Sequence, residues 1–231
     1  RIVLDLGQPL DCPDAELADM PDVPGLEKPD SSLLAVILSH PHLDHYGLAF
    51  RSPPTTTFMM GEAAERILAA AAVFTPSGGT FNRVIHLADR APLGLGPFQI
   101  TPFLMDHSAY DSYALLIESD GKRIFYTGDL RGHGRKAARF ERLIADPPKD
   151  VNTLIMEGTT IGRQGTEEGF PTESEIEDRF VRIIRETKGV ALVWCSGQNI
   201  DRLVTAYRAT KRSNRKFIMD MYTAHILKAT G

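Results

Sequence analysis

Cysteine is scarce in this chain. Cys12 and Cys195 lie far apart and cannot make the dense disulfide framework of a small secreted domain, so a reducing cytoplasm is the expected compartment. Absent too is any apolar stretch near the ~20 residues a membrane helix requires. The longest candidate, residues 67–74, is alanine-rich and far too short. No secretory signal is visible, and no membrane partner is expected. Neither sign of charge dominates: 26 lysines and arginines face 30 aspartates and glutamates, a net charge of −4. That balance argues against a general nucleic-acid coat protein, whose domains are basic. It leaves room for an enzyme in which bound cations supply positive charge where it is needed. Repeats and low-complexity tracts are also missing. What remains is ordinary for a globular protein: 42% hydrophobic residues and 24% charged ones over 231 positions, enough for one large domain or one domain plus part of another.

Against that background residues 39–45 stand out. They read Ser-His-Pro-His-Leu-Asp-His, a dense set of borderline metal ligands formed by His40, His42, Asp44 and His45. Imidazole and carboxylate suit zinc, or more loosely manganese or iron. The apolar run at 33–38 reads as a buried strand, and Pro41 bars a regular helix through the cluster. The ligands then sit on a loop at a strand end, where a rigid scaffold aims several side chains at one point. A solvated histidine-rich turn is the plainer alternative, but it gives no reason for three imidazoles and a carboxylate to share one turn.

Up to about residue 160, short apolar runs alternate with glycine- and proline-rich turns. Strands are expected at 2–4, 33–38, 56–60, 84–87, 98–104, 113–118, 123–126 and 153–156, with Asp120-Gly121 as a hairpin turn. Helices are expected at 62–74 and 136–145, and the proline- and acid-rich segment 8–29 reads as a long, partly mobile loop. Beyond Gly158 the texture changes. Thr172 and Glu175 form a capping box for a helix with Ile176, Phe180, Ile183 and Ile184 on one face. A buried strand at 190–195, a helix at 200–211 and a strand at 217–219 would then make a parallel βαβ unit. The domain boundary falls near 172, dividing the chain into 1–172 and 173–231.

The pattern His-x-His-x-Asp-His resembles the signature of the metallo-β-lactamase superfamily, and other stretches resemble its remaining motifs in order. IVLDLG places Asp5 at a strand end, LMDHSAYDS places His107 after a strand, and IFYTGDL places Asp129 after another. LIMEGTT, with Glu157, resembles the acidic motif that opens the β-CASP branch, the nucleases that include ribonuclease J and the mRNA 3′-end endonuclease. The resemblance implies an α/β fold: an αββα sandwich over 1–172, followed by the start of a parallel α/β β-CASP cap at 173–231. It also implies a longer protein, nearer twice this length. The first strand lacks the hairpin that normally precedes it, and two late histidine motifs are missing, one of which completes the second metal site. His225 lies too early in the cap to stand for either.

By that resemblance His40, His42 and His107 hold one metal, Asp129 bridges, and Asp44 and His45 hold a second. The implied cofactors are two zinc ions, with manganese possible, activating a water for hydrolysis. Asp44 would orient that water and take its proton, although coordination lowers its basicity. Asp5 and Glu157 would orient metal-bound imidazoles from behind, or Glu157 would sit at the interface with the cap; Asp5 is equally readable as a turn residue before Gly7. The turn Ser196-Gly197-Gln198-Asn199 offers backbone N–H groups to a phosphate or is merely a helix cap. Asp201 beside it would weaken phosphate binding unless paired with Arg202 or turned away. Arg131 and His133, in a basic run from Arg131 to Arg142, could reach substrate and line the floor of a channel. The basic run from Arg208 to Lys216 reads better as a solvated helix face, and His86 as a strand histidine. The function implied is phosphodiester hydrolysis on single-stranded RNA or DNA, as in RNA processing by an endonuclease or exonuclease, with a homodimer possible. A thioester or lactam hydrolase and a catalytically silent nucleic-acid-binding relative are the alternatives.

Overall fold

A computed structural model describes residues 1–12, 15–162 and 169–231. Strands β1 (Ile2–Leu4), β2 (Ala35–Ile37), β3 (Phe58–Gly61) and β4 (Val84–Leu87) form a parallel sheet in sequence order. Strands β5 (Leu93–Leu95), β6 (Phe98–Met105), β7 (Ser112–Ser119) and β8 (Lys122–Tyr126) make an antiparallel meander, and β9 (Thr153–Ile155) joins β8 in parallel. The hairpin between β7 and β8 turns at Asp120 and Gly121, with φ of 50° and 69°. Both fall in the left-handed region that a tight two-residue turn demands.

Alternation along the strands builds the layers. Ala35, Ile37 and Met59 face Ile100, Leu115 and Ile117 between the two sheets. Val36, Phe58 and Met60 point the other way, onto Leu68 of α2 (Glu62–Ala71). Ala114, Leu116 and Phe125 likewise point outward, onto Leu143 of α3 (Ala137–Ala145). The result is helix, sheet, sheet, helix, the αββα sandwich expected. Strands buried on both faces show continuous apolar runs, which is why β2 and β7 were easy to read. The segment between β1 and β2 is held down: Arg51 Nη1 donates to the carbonyls of Ala15 and Ala18, and Leu26 is buried. Pro13 and Asp14, within the expected long loop, lie outside the described residues.

Three further helices complete the chain: α4 (Glu173–Glu186), α5 (Ile200–Arg212) and α6 (Met221–Ala229). The capping box on α4 is formed, Thr172 Oγ1 accepting from Glu175 N at 3.2 Å while Glu175 accepts from Thr172 N at 2.7 Å. Helices α4 and α5 pack through Val181, Ile184 and Ala209, and Ile200, Leu203 and Ile226 pack onto Ile67, Ala70 and Ala71 of α2. The expected strands at 190–195 and 217–219 are not formed. Neither segment pairs in a ladder, and Val190, Leu192, Trp194 and Ile218 are exposed, Trp194 completely. An apolar run becomes a strand only where a neighbour takes its N–H and C=O groups. Here the two segments flank an open groove of 720 Å³ instead. Among the described residues no helix is long and apolar enough to cross a membrane.

Candidate metal centre

The histidine cluster lies where β2 leaves the first sheet, and one turn of helix, α1 (Leu43–Tyr46), begins immediately after His42. This corrects the expected loop: Pro41 withholds only its own N–H, so a helical turn starts two residues later. That turn carries Asp44 and His45. A strap from β1 clamps it, Leu6 N donating to the His45 carbonyl at 2.8 Å and Gln8 N to that of Leu43 at 3.0 Å. The strap passes so close that a Cβ at Gly7 would lie 1.6 Å from the Asp44 carbonyl oxygen, a reason for glycine there.

His40, His42 and His107 present ring nitrogens within 4.8 Å of one another, and so do His40 and His45 with an Asp129 oxygen. His40 is 1% exposed, and its Nε2 is buried with no hydrogen-bond partner. Ser39 Oγ donates to Asp5 at 2.8 Å and lies 3.0 Å from His40 Nδ1, so His40 Nδ1 is the donor and Nε2 carries the free lone pair. His42 Nδ1 and His107 Nε2 are only 3.2 Å apart. Burial, reinforced by the neighbouring rings, holds His40 well below the usual imidazole value and His107 down to about 3. Burial lowers His42 as well. An orphaned buried nitrogen such as His40 Nε2 is costly by itself, and a cation among these rings would satisfy it. The residues fit a divalent cation.

Asp129 divides its oxygens between two groups. Oδ2 lies 4.0 Å from both His40 Nε2 and His107 Nε2, while Oδ1 lies 3.4 Å from His45 Nε2. His45 Nε2 is also 3.8 Å from Asp44 Oδ2. Burial opposes charge on His45, yet the hydrogen bonds it donates to Asp129 and Asp5 outweigh that and push the ring up to about 10. Gly128 lets the Asp129 loop approach the cluster: its φ is 52°, and a Cβ there would meet Ser39 Cβ at 2.9 Å.

Two supporting carboxylates sit behind these groups. Asp5, itself at φ 55°, accepts from Ser39 N at 2.6 Å, from His45 Nδ1 at 2.7 Å and from the Tyr126 hydroxyl. It is therefore a hub aiming His45, more than a turn residue. Among the described residues Glu157 makes no hydrogen bond to an imidazole. Its Oε1 accepts from Leu130 N at 2.5 Å, so it fixes the backbone next to Asp129. Ser39 and Tyr126 were not singled out in the sequence, since a lone serine and a strand tyrosine show their partners only once folded.

The expected substrate contacts are mixed. The 196–199 turn lies beside the His107 loop through a bridge between Ala109 and Asn199. Asn199 Oδ1 accepts from Arg202 N at 3.2 Å and caps α5, while Ser196 Oγ accepts from Gln198 N at 3.2 Å within the turn. Arg131 is turned inward onto Asp106 and Asp201, and Arg135 onto Glu177 and Thr205. Arg139 pairs with Asp89 at 2.9 Å. Arg131 and Arg135 are thus internal wiring, in place of the channel floor expected of them, because their acidic partners come from segments distant in sequence, while Arg139 and Arg142 stay exposed. Asp201 pairs with Arg131, while Arg202 goes to Glu173. In the second basic run Arg208 and Arg212 reach Glu177. His133 stacks on Phe170 with ring centroids 5.2 Å apart, His86 pairs with Glu65 at 2.6 Å, and His225 lies against Phe74 at 5.7 Å.

A family model described as the beta-lactamase superfamily domain matches residues 12–169. Ribonuclease J of Sinorhizobium meliloti is 23% identical over 94% of this chain and 39% of its own length. Ribonuclease J of Helicobacter pylori is 24% identical over 85% of this chain and 29% of its own, and that of Mycobacterium tuberculosis 24% identical over 80% and 33%. The chain thus spans well under half the length of these relatives. A crystal structure of a protein of unknown function from Enterococcus faecalis V583 superposes with a TM-score of 0.79 and 24% identity, over 98% of this chain and 61% of that one. The chain belongs to the beta-lactamase superfamily and has the metallo-β-lactamase fold, in a form similar to ribonuclease J.

Proposed function

We propose that this protein is a nuclease that uses two divalent ions to hydrolyse phosphodiester bonds in single-stranded RNA, with single-stranded DNA as the second substrate class. The observation carrying the dinuclear reading is the split of Asp129, Oδ2 toward His40 and His107 and Oδ1 toward His45. In this reading His40, His42, His107 and Asp129 hold one ion, while Asp44, His45 and Asp129 hold the other. Zinc is the first candidate and manganese the second, because the set mixes imidazole with carboxylate and has no thiolate. When bound, such a pair lowers the pKa of a water and offsets negative charge at phosphorus.

The chain's own groups do the rest. Asp44 is the most open of the carboxylates, its side chain 36% exposed, and is placed to orient the attacking water and accept its proton. Asp5 and Tyr126 hold His45 in aim from behind. Glu157 keeps the Asp129 loop in place. Residues 1–172 serve as the metal domain and 173–231 as the beginning of a cap, whose 196–199 turn lies beside the His107 loop, so that Ser196, Gly197 and Asn199, with His133, would meet a substrate phosphate. Arg131 is withdrawn from that role by its pairing with Asp201. The polymer preference is supported by the likeness to ribonuclease J over most of this chain and by a helical layer placed beside the metal loops.

The deciding assay is a panel. The protein is loaded with zinc or manganese and given a labelled oligoribonucleotide, an oligodeoxynucleotide, a thioester and a β-lactam, with metal content measured by elemental analysis. Cleavage of the oligoribonucleotide and about two ions per chain are expected. Turnover of the thioester or lactam alone would replace the nuclease by a small-molecule hydrolase. Metal binding without any turnover would point to a silent relative.

A further inference from the structure

The loops that carry His107 and Asp129 are joined to each other and to α5 by one buried charge cluster. Asp106, the chain neighbour of His107, is fully buried. Its carboxylate accepts from Gly134 N at 2.6 Å and lies 3.5 Å from Arg131 Nε, while its carbonyl accepts from Arg131 N at 2.8 Å. Arg131, two residues past Asp129, extends its other guanidinium nitrogen to Asp201 in the first turn of α5. Asp201 in turn accepts from Arg135 N at 3.0 Å. Gly134 has no room for a side chain: a Cβ there would lie 2.3 Å from Asp106 Oδ1 and 2.4 Å from an Arg131 nitrogen. One arginine, 12% exposed, thereby spans two buried carboxylates, one on a ligand loop and one on the helical layer.

We infer that Asp201 and Arg131 are positioning residues through which α5 sets the separation of the His107 and Asp129 loops, and hence the affinity of the centre for metal. Charge-assisted bonds in a buried setting are short, directional and resistant to deformation, and partners lying behind metal ligands govern metal affinity. A role confined to holding the helices would not need these two residues. Helices α4 and α5 already share the pair Arg202–Glu173, whose side chains bond, among the described residues, only to each other and to Thr205. The inference rests on the metal-centre reading above.

Zinc affinity, measured by competition with a chromophoric chelator well below the unfolding midpoint, tests it together with kcat and KM on an oligoribonucleotide. Asp201→Asn keeps the shape and removes the charge. It should weaken zinc binding by about tenfold or more and lower kcat with KM little changed. Arg131→Lys, which keeps the charge but cannot span both carboxylates, should shift affinity the same way and guards against a failure of the first variant to fold. Arg202→Gln is the control: a lower unfolding midpoint with zinc affinity unchanged. Wild-type affinity in Asp201→Asn or Arg131→Lys would overturn the inference, as would an equal loss in Arg202→Gln, which would signify general loosening. Absence of zinc binding by the unaltered protein would instead sink the metal-centre reading, and the positioning role with it.

Discussion

Asp129 is placed to serve two groups of ligands with one carboxylate, while Asp44 stands on the His45 side, 3.8 Å from its Nε2. The two substitutions should therefore differ in kind. Asp129→Asn keeps the side chain's shape but removes the charge shared by both sites, so both ions should bind more weakly. The loss should exceed the roughly 10–100-fold typical of changing a residue that merely supports a ligand. Asp44→Ala should leave the first ion bound, reduce the content towards one, and abolish cleavage. Elemental analysis beside a turnover assay checks both; near wild-type turnover in either variant would show that the assignment is misplaced. The cluster itself was plain to read because its members are adjacent in the chain, so spacing alone carried the chemistry. Asp5 was half legible: a carboxylate at a strand end draws notice, but its bond to His45 crosses 40 positions. The inward turn of Arg131 was not legible at all, since its partner Asp201 is 70 residues away.

At the level of elements, strands buried on both faces and helices with explicit caps could be read directly, and segments whose fate depends on a neighbour could not. Helix α4 shows the first case. Its N-terminus depends on Thr172, whose hydroxyl accepts from Glu175 N, and Thr172→Ala should cost about 1 kcal/mol. Urea unfolding should register this as a lower midpoint with an unchanged slope, and an unmoved midpoint would mean the box contributes nothing. Residues 190–195 and 217–219 show the second case. Their composition suits strands, yet strand formation is decided by backbone partners, and composition carries no information about those.

For the molecule as a whole, the helical layer is tied to the sandwich and within itself by carboxylates gripped by arginines. Burial would raise Glu173, but hydrogen bonds from Arg202 and Thr205 hold it below its ordinary value. Glu177 follows the same pattern, with Arg212 and Arg135 as the partners that lower it. A folded-state pKa below the unfolded one contributes stability that is present above the unfolded value, about 4.3, and lost as pH falls through the folded value. Thermal midpoints should therefore drop from roughly pH 5 downward. In Glu173→Gln with Glu177→Gln the midpoint should start lower and fall less steeply over that window. An equally steep fall in the double variant would assign the acid sensitivity to other groups.

The chain's one tryptophan, Trp194, stands wholly in solvent beside the open groove. Intrinsic indole fluorescence is thereby separated from the core. Melting the two sheets would change the surroundings of that ring very little, so emission colour is a poor gauge of whether the sandwich is intact. Anything that settled over the flank formed by 190–194 and 218 would shift the emission to the blue and shield the ring from soluble quenchers. The one indole of this sequence thus reads the flank of the groove and leaves the core unreported.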